Sequence, residues 1–146
     1  MSTIDKAIRI AAQAHEGQRD RYGAPYILHP LRVMARVTTD DEKMAAILHD
    51  VIEDSEWTLD DLRKDGFSAV VLQAVDDLTR REGEDYMDYI DRLKSNPIAR
   101  KAKIADLEDN MDMRRLPTVA AKDAGRLARY HQVWVMLKKL DESDKS

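Results

Sequence analysis

Residues 45–57, "AAILHDVIEDSEW", have the apolar spacing of a buried helix, yet they carry His49, Asp50, Glu53 and Asp54 among Ile47, Leu48, Val51 and Ile52. Charge in such surroundings is costly unless something compensates it. His49 and Glu53, like Asp50 and Asp54, are four residues apart, so on one helix (residues 42–54) they project along a common face. His49 and Asp50 differ by about 100° around the axis, and a cation between their directions is within reach of both. A divalent ion would neutralise the carboxylates and take the imidazole as ligand. For this segment alone, an acidic surface stripe with one partly buried histidine stays open as the alternative.

Working outward, the remaining elements also read as helices. Ser2 or Thr3 caps a first helix bearing Ile4, Ala7, Ile8, Ala11, Ala12 and Ala14, which stops by Gly17. The loop "QRDRYGAPYILHP" leads to Pro30 in the first turn of a second helix with Leu31, Val33, Met34 and Val37, leaving His29 at its mouth. A residue before proline is steered to extended backbone. "WTLDDLRKDG" predicts a short helix boxed by Thr58 and Asp61 and stopped by Gly66, and another helix follows over residues 68–78. After "TRREGED" comes "YMDYIDRLKS". Asn96 and Pro97 then open a seventh helix, with Pro117 just past its end. The last spans about residues 120–140 with Leu127, Tyr130, Val133, Trp134, Leu137 and Leu140 on one stripe, and residues 141–146 are expected to be a frayed tail. The expectation is one all-α domain over residues 1–146, a compact bundle of about eight helices with its core at 4–140.

Composition narrows the function. The chain has 146 residues, no cysteine, a net charge of −4 and 36% charged residues of mixed sign. Disulfides and cysteine-based zinc sites are excluded, and the overall field gives no reason to expect duplex nucleic acid. No apolar run approaches a membrane span, so a cytoplasmic protein is expected. Tyr130, Trp134, Val135 and Met136 near the end of the last helix motivate a homo-oligomer, although a core-facing stripe accounts for them as well.

"KIADLEDNMD" on the seventh helix places Asp106, Glu108, Asp109 and Asp112 within two turns, a repulsive arrangement unless countered. Asp106, among Ile104, Ala105 and Leu107, is the acid expected to face inward, and Asn110 shares its face one turn on. Lys101, Lys103, Arg114 and Arg115 account for Glu108 and Asp112 as surface pairs. His29, His49, Asp50 and Asp106 then form a two-histidine, two-carboxylate set, which suits Mn, Fe or Zn better than Mg or Ca.

"YILHP", "HDVIED" and "KIADLEDNM" occur in the order and at the spacings of HD-domain metal-dependent phosphohydrolases, and the chain resembles the hydrolase domain of the RelA/SpoT family, most closely its small stand-alone alarmone hydrolases. That resemblance implies hydrolysis of the 3′-pyrophosphate of guanosine 3′,5′-bis(diphosphate), with His29, His49, Asp50 and Asp106 holding one divalent ion. Mn²⁺ is usual in the family, and Fe²⁺, Co²⁺ or Zn²⁺ also suit the donors. It implies that Glu53 and Asp54 position and activate the attacking water and that Asn110 contacts the nucleotide. Substrate phosphates need cations, and the candidates are Arg19, Arg21, Arg80, Arg81 and Lys103. The chain departs from the long enzymes in the histidine loop, where it reads Arg19, Asp20, Arg21, Tyr22 in place of adjacent basic residues and a small hydroxyl residue. Synthetase and regulatory activities are not expected. The competing expectations are an HD phosphohydrolase of another nucleotide (an adenosine alarmone, a pyridine dinucleotide phosphate or a nucleoside phosphate) and a nonenzymatic nucleotide-sensing HD module.

Overall fold

The computed structural model describes residues 3–144, and among them are nine α-helices, one 3₁₀ turn and no strands beyond a single Arg19–Pro25 bridge. The helices are α1 (Ile4–Ala14), α2 (Leu28–Ala35), α3 (Asp40–Leu48), α4 (Val51–Asp54), α5 (Leu59–Lys64), α6 (Ala69–Leu78), α7 (Tyr86–Leu93), α8 (Pro97–Asn110) and α9 (Ala121–Ser143). Capping side chains set most of the starts. Thr3, Thr39, Thr58, Ser68, Asp85 and Asn96 each accept from a backbone N–H of the first turn, and Thr39–Glu42 and Thr58–Asp61 close reciprocal boxes. Ser2, the other candidate cap of α1, lies outside the described residues.

Helix α3 is the hub. Met44, Ala45, Ala46, Ile47 and Leu48 are all buried, so the second half of the helix is apolar around its circumference, and the helix packs against α1, α2, α6 and α8. Met44, Ile47 and Leu48 join a cluster with Ala7, Ile10 and Val71, whereas Ala45 and Ala46 join a second with Val33, Leu107, Val133 and Leu137. Whatever stands at the end of α3 therefore reaches the middle of the bundle. Leu107 on α8 is fully buried in the second cluster. Leu107→Ala is expected to lower the unfolding free energy by about 3 kcal/mol through lost burial and the cavity left behind, measurable as a lower urea midpoint at unchanged slope.

Four boundaries differ from the sequence-based expectation. The helix expected over residues 42–54 is two helices, because the backbone tightens at His49 and Asp50 (φ −104°, ψ −1° at Asp50) before α4 resumes. His29 is the second residue of α2 and helical, its N–H bonded to the Tyr26 carbonyl at 2.9 Å, so the extended backbone expected before Pro30 is not adopted. Helix α8 stops at Asn110, well before Pro117, and a 3₁₀ turn (Met113–Arg115) fills the gap, with Asp112 accepting from the Arg114 N–H. Helix α9 runs through Ser143. Its end is docked, because Asp141 is buried against Lys101 (2.8 Å) and Arg100 (3.3 Å), and Arg100 also pairs with Asp144. The expected apolar stripe of α9 is buried at Val133 and Leu137, while Leu140 is exposed and Trp134 donates its indole N–H to Glu108 at 3.0 Å.

Candidate metal centre

The break between α3 and α4 builds the site. On an unbroken helix adjacent side chains diverge, but here the His49 Nε2 and an Asp50 oxygen lie 3.0 Å apart. His29 comes from the first turn of α2 and Asp106 from the third turn of α8. The His29 Nε2 is 2.8 Å and the His49 Nε2 3.3 Å from the same Asp106 oxygen. One ligand atom each from His29, His49 and Asp50 lies within 4.8 Å of the others, close enough to hold one metal ion.

The donor chemistry fits a metal. Each histidine turns its Nε2 inward while its Nδ1 is occupied: His49 Nδ1 meets the Ala46 carbonyl at 2.5 Å and His29 Nδ1 meets an Asp109 oxygen at 2.6 Å. A proton held on Nδ1 by such a partner leaves the Nε2 lone pair free, which is the arrangement metal-ligating histidines adopt. Without an ion the same groups neutralise one another. Burial opposes ionisation of Asp50, but the adjacent His49 imidazole and the Tyr26 hydroxyl, which donates to Asp50, bring its pKa down to about 2. Burial opposes ionisation of Asp106 too, and Lys103 at 2.9 Å with the two histidines holds its carboxyl well below the usual carboxylate range.

Around this centre lies a pocket of about 390 Å³, lined among others by Arg21, Tyr22, Tyr26, Arg32, Asn110 and Arg115. Asn110 lines it while donating to Asp106 at 3.3 Å. Glu53 and Asp54 are exposed on α4 and are not among the residues that line the pocket, although Gln18, which does line it, bonds Asp54. Lost hydration raises the pKa of both, and neighbouring carboxylates add to this, while each is anchored by one donor: the Arg80 N–H to Glu53 at 2.5 Å and the Gln18 amide to Asp54 at 3.2 Å.

The candidate cations have different surroundings. Arg19 and Arg21 line the pocket, with the Arg19 guanidinium bonded to the Gly23 carbonyl at 2.8 Å. Lys103 is buried, its ammonium 5.2 Å from the Tyr89 ring centre and paired with Asp106. Arg80 lies over the Tyr86 ring, and Arg81 is spent on the Asp76 and Thr79 carbonyls at the end of α6. Asp20, the departure in the histidine loop, shapes the backbone there. Its carboxylate accepts from Tyr22 and Ala24 N–H at 2.9 Å and folds the loop around Gly23, whose φ of +85° suits glycine.

Several residues of the site carry no clear signal in the sequence. Asp109 is fully buried and bound to His29, Arg32 and Arg115. Its three-residue spacing from Asp106 is a usable signal, lost among neighbouring acids. Tyr26 is the first letter of "YILHP". His15, at the end of α1, is buried, packs on Tyr26 at 4.9 Å and bonds Gln18, the residue that anchors Asp54; nothing local in "QAHEG" signals that role.

Comparison with known proteins places the chain in a family. A GTP pyrophosphokinase of Streptomyces coelicolor is 35% identical over 121 residues, which is 74% of this chain and 14% of that protein. A guanosine-3′,5′-bis(diphosphate) 3′-pyrophosphohydrolase of Aquifex aeolicus is 31% identical over 120 residues, 74% of this chain and 17% of the relative. The namesake from Haemophilus influenzae is 45% identical over 75 residues, 49% and 11% of the two chains. The chain thus spans less than a fifth of the length of these curated relatives. Among solved structures, one reported as a metazoan ortholog of SpoT that hydrolyzes ppGpp superposes with a TM-score of 0.74 at 23% identity, covering 98% of this chain and 93% of that one. Residues 7–127 match the HD domain, and the chain belongs to the HD domain family.

Proposed function

We propose that the protein is a metal-dependent pyrophosphohydrolase that removes the 3′-pyrophosphate of guanosine 3′,5′-bis(diphosphate). The observation that carries this reading is the convergence of His29, His49, Asp50 and Asp106 beside a pocket walled by arginines, with the acid pair Glu53 and Asp54 on the helix that follows Asp50. The names of the Aquifex and Haemophilus relatives supply the substrate class.

His29, His49, Asp50 and Asp106 would hold the ion, with Mn²⁺ the first choice and Fe²⁺, Co²⁺ or Zn²⁺ compatible with the same donors. Such an ion lowers the pKa of a water and offsets charge that develops on phosphate oxygen. The chain's own groups do the rest. Glu53 and Asp54 orient the water and accept its proton. Attack of the water oxygen on the phosphorus bonded to the 3′ oxygen breaks that bond; the 3′ oxygen departs with the bonding pair and takes a proton from solvent to become a 3′-hydroxyl, and the phosphoryl groups leave as pyrophosphate. Arg19 and Arg21 face the nucleotide phosphates, Asn110 offers an amide to the nucleotide, and Lys103 supports the centre through Asp106. Arg80 serves the acid pair through its backbone N–H to Glu53, and Arg81, held by the Asp76 and Thr79 carbonyls, is the weaker candidate for a phosphate contact.

Purified protein loaded with Mn²⁺ and incubated with guanosine 3′,5′-bis(diphosphate) is expected to release pyrophosphate, resolved by anion-exchange chromatography, and to stop when a chelator strips the ion. Release from an adenosine alarmone, a pyridine dinucleotide phosphate or a nucleoside phosphate, with none from the guanosine compound, would keep the hydrolase and change its substrate.

A further inference from the structure

Asp109 takes no part in the hydrolysis proposed for the site, yet it is among the most enclosed charged groups in the protein, with no exposed surface. One oxygen meets the His29 Nδ1 at 2.6 Å and also takes the Arg32 Nη2 at 3.1 Å. The other accepts from the Arg32 Nε at 2.7 Å and faces an Arg115 Nη1 at 3.6 Å, while Arg115 also donates to the Asp109 backbone carbonyl at 3.0 Å. Two guanidiniums and one imidazole thus fix this carboxylate on every side. Both arginines line the pocket, and Arg115 lies 5.3 Å from the ring centre of Tyr22 in the histidine loop.

A buried carboxylate so heavily countered is expensive to assemble, since the charges must be desolvated before they attract. Packing alone does not call for it, because an apolar side chain would fill the same space. Its geometry does serve one partner: His29 is a single residue at the start of α2, and the Nδ1 contact stops its ring from rotating about χ2 and turning Nε2 away from Asp106.

We propose that Asp109 is a positioning residue for His29, holding the imidazole in the Nδ1-protonated form with Nε2 aimed at the metal position, and that the Arg32–Arg115 clamp makes this orientation part of the pocket wall. The proposal rests on the metal reading of the site. It gives Arg32 and Arg115 a role that surface cations lack, since loosening either one loosens a metal-binding imidazole.

The test measures metal binding rather than turnover. Mn²⁺ titrated into wild-type protein in a calorimeter sets the reference, and Asp109→Asn, which keeps the shape and removes the charge, is expected to bind 10- to 100-fold more weakly. The visible absorption bands of the Co²⁺-substituted protein should shift in the variant, which a purely structural residue would not cause. Wild-type affinity together with an unchanged Co²⁺ spectrum in folded Asp109→Asn protein overturns the proposal. Should that variant fail to fold by circular dichroism, Arg32→Gln decides, because it leaves the carboxylate and loosens its clamp: weaker Mn²⁺ binding supports the proposal and unchanged binding overturns it. Wild-type protein that binds no Mn²⁺ overturns the metal reading and this inference together, a result distinct from a wild type that binds and a variant that binds equally well.

Discussion

Asp50→Ala protein is expected to leave gel filtration without Mn²⁺ and to release no pyrophosphate from guanosine 3′,5′-bis(diphosphate). The Asp50 carboxylate is one of three groups whose ligand atoms lie within 4.8 Å, and it is the one supplied by the break between α3 and α4. Its removal leaves two imidazoles and Asp106, and Asp106 is already shared with Lys103 and Asn110. Loss of an outer partner of a metal ligand costs 10–100-fold in affinity, so loss of a ligand itself should cost at least about 100-fold. Metal content by plasma emission and pyrophosphate by chromatography check the two halves separately. Full turnover by metal-free Asp50→Ala protein would remove the ion from the mechanism.

The same break marks where the sequence stops being legible. Apolar periodicity and capping residues identify every helix but α4, because these are local signals: Thr39 with Glu42, Thr58 with Asp61, and Asn96 before Pro97 each act within a few residues. What periodicity misses is a tightening of one turn at His49, since the apolar residues on either side keep helical spacing through it. His29 shows the converse, a local rule overridden. The preference of a pre-proline residue for extended backbone loses to the Tyr26 carbonyl and the packing of α2, which draw His29 into the helix. The tail of α9 is similar, for "DESDKS" reads as solvent-facing until Lys101 and Arg100 of α8 are placed beside Asp141.

Within the site, the four candidate metal ligands are legible because each is anomalous where it stands, polar among apolar neighbours or next to a helix-opening proline. The cations are so only in part: Arg19 and Arg21 line the pocket, but Arg80, Arg81 and Lys103 do not. Arg32 and Arg115 line the pocket, whereas Arg81 ties down the end of α6. A charged side chain on a helix surface has the same local sequence whether it faces solvent or a cavity, and only the packing of α2 against α8 decides between them. Asp109 escapes for that reason: its partners are 77 residues distant at Arg32 and 80 at His29.

Glu53→Gln protein should retain its full complement of Mn²⁺ and lose about 10²- to 10⁴-fold in kcat. The substitution separates chemistry from construction. Glu53 is exposed on α4, three residues past Asp50, and its carboxylate accepts from the Arg80 N–H at 2.5 Å. A glutamine oxygen can still accept that bond, so the loop after α6 keeps its anchor. What the amide cannot do is take a proton from water, and the wild-type carboxyl, its pKa raised by lost hydration beside Asp50 and Asp54, is a stronger base than an ordinary glutamate. An interaction made only in the transition state should show in kcat with KM nearly unchanged. Asp54→Asn is the companion experiment, since Gln18 anchors that carboxylate through a side-chain bond and the variant removes the second proton acceptor. If the rate falls only in Asp54→Asn, the proton goes to Asp54 and Glu53 serves the Arg80 loop. Full rate in both variants would take the acid pair out of catalysis, and metal-retaining protein that binds the nucleotide without hydrolysing it would be a nucleotide-sensing HD module.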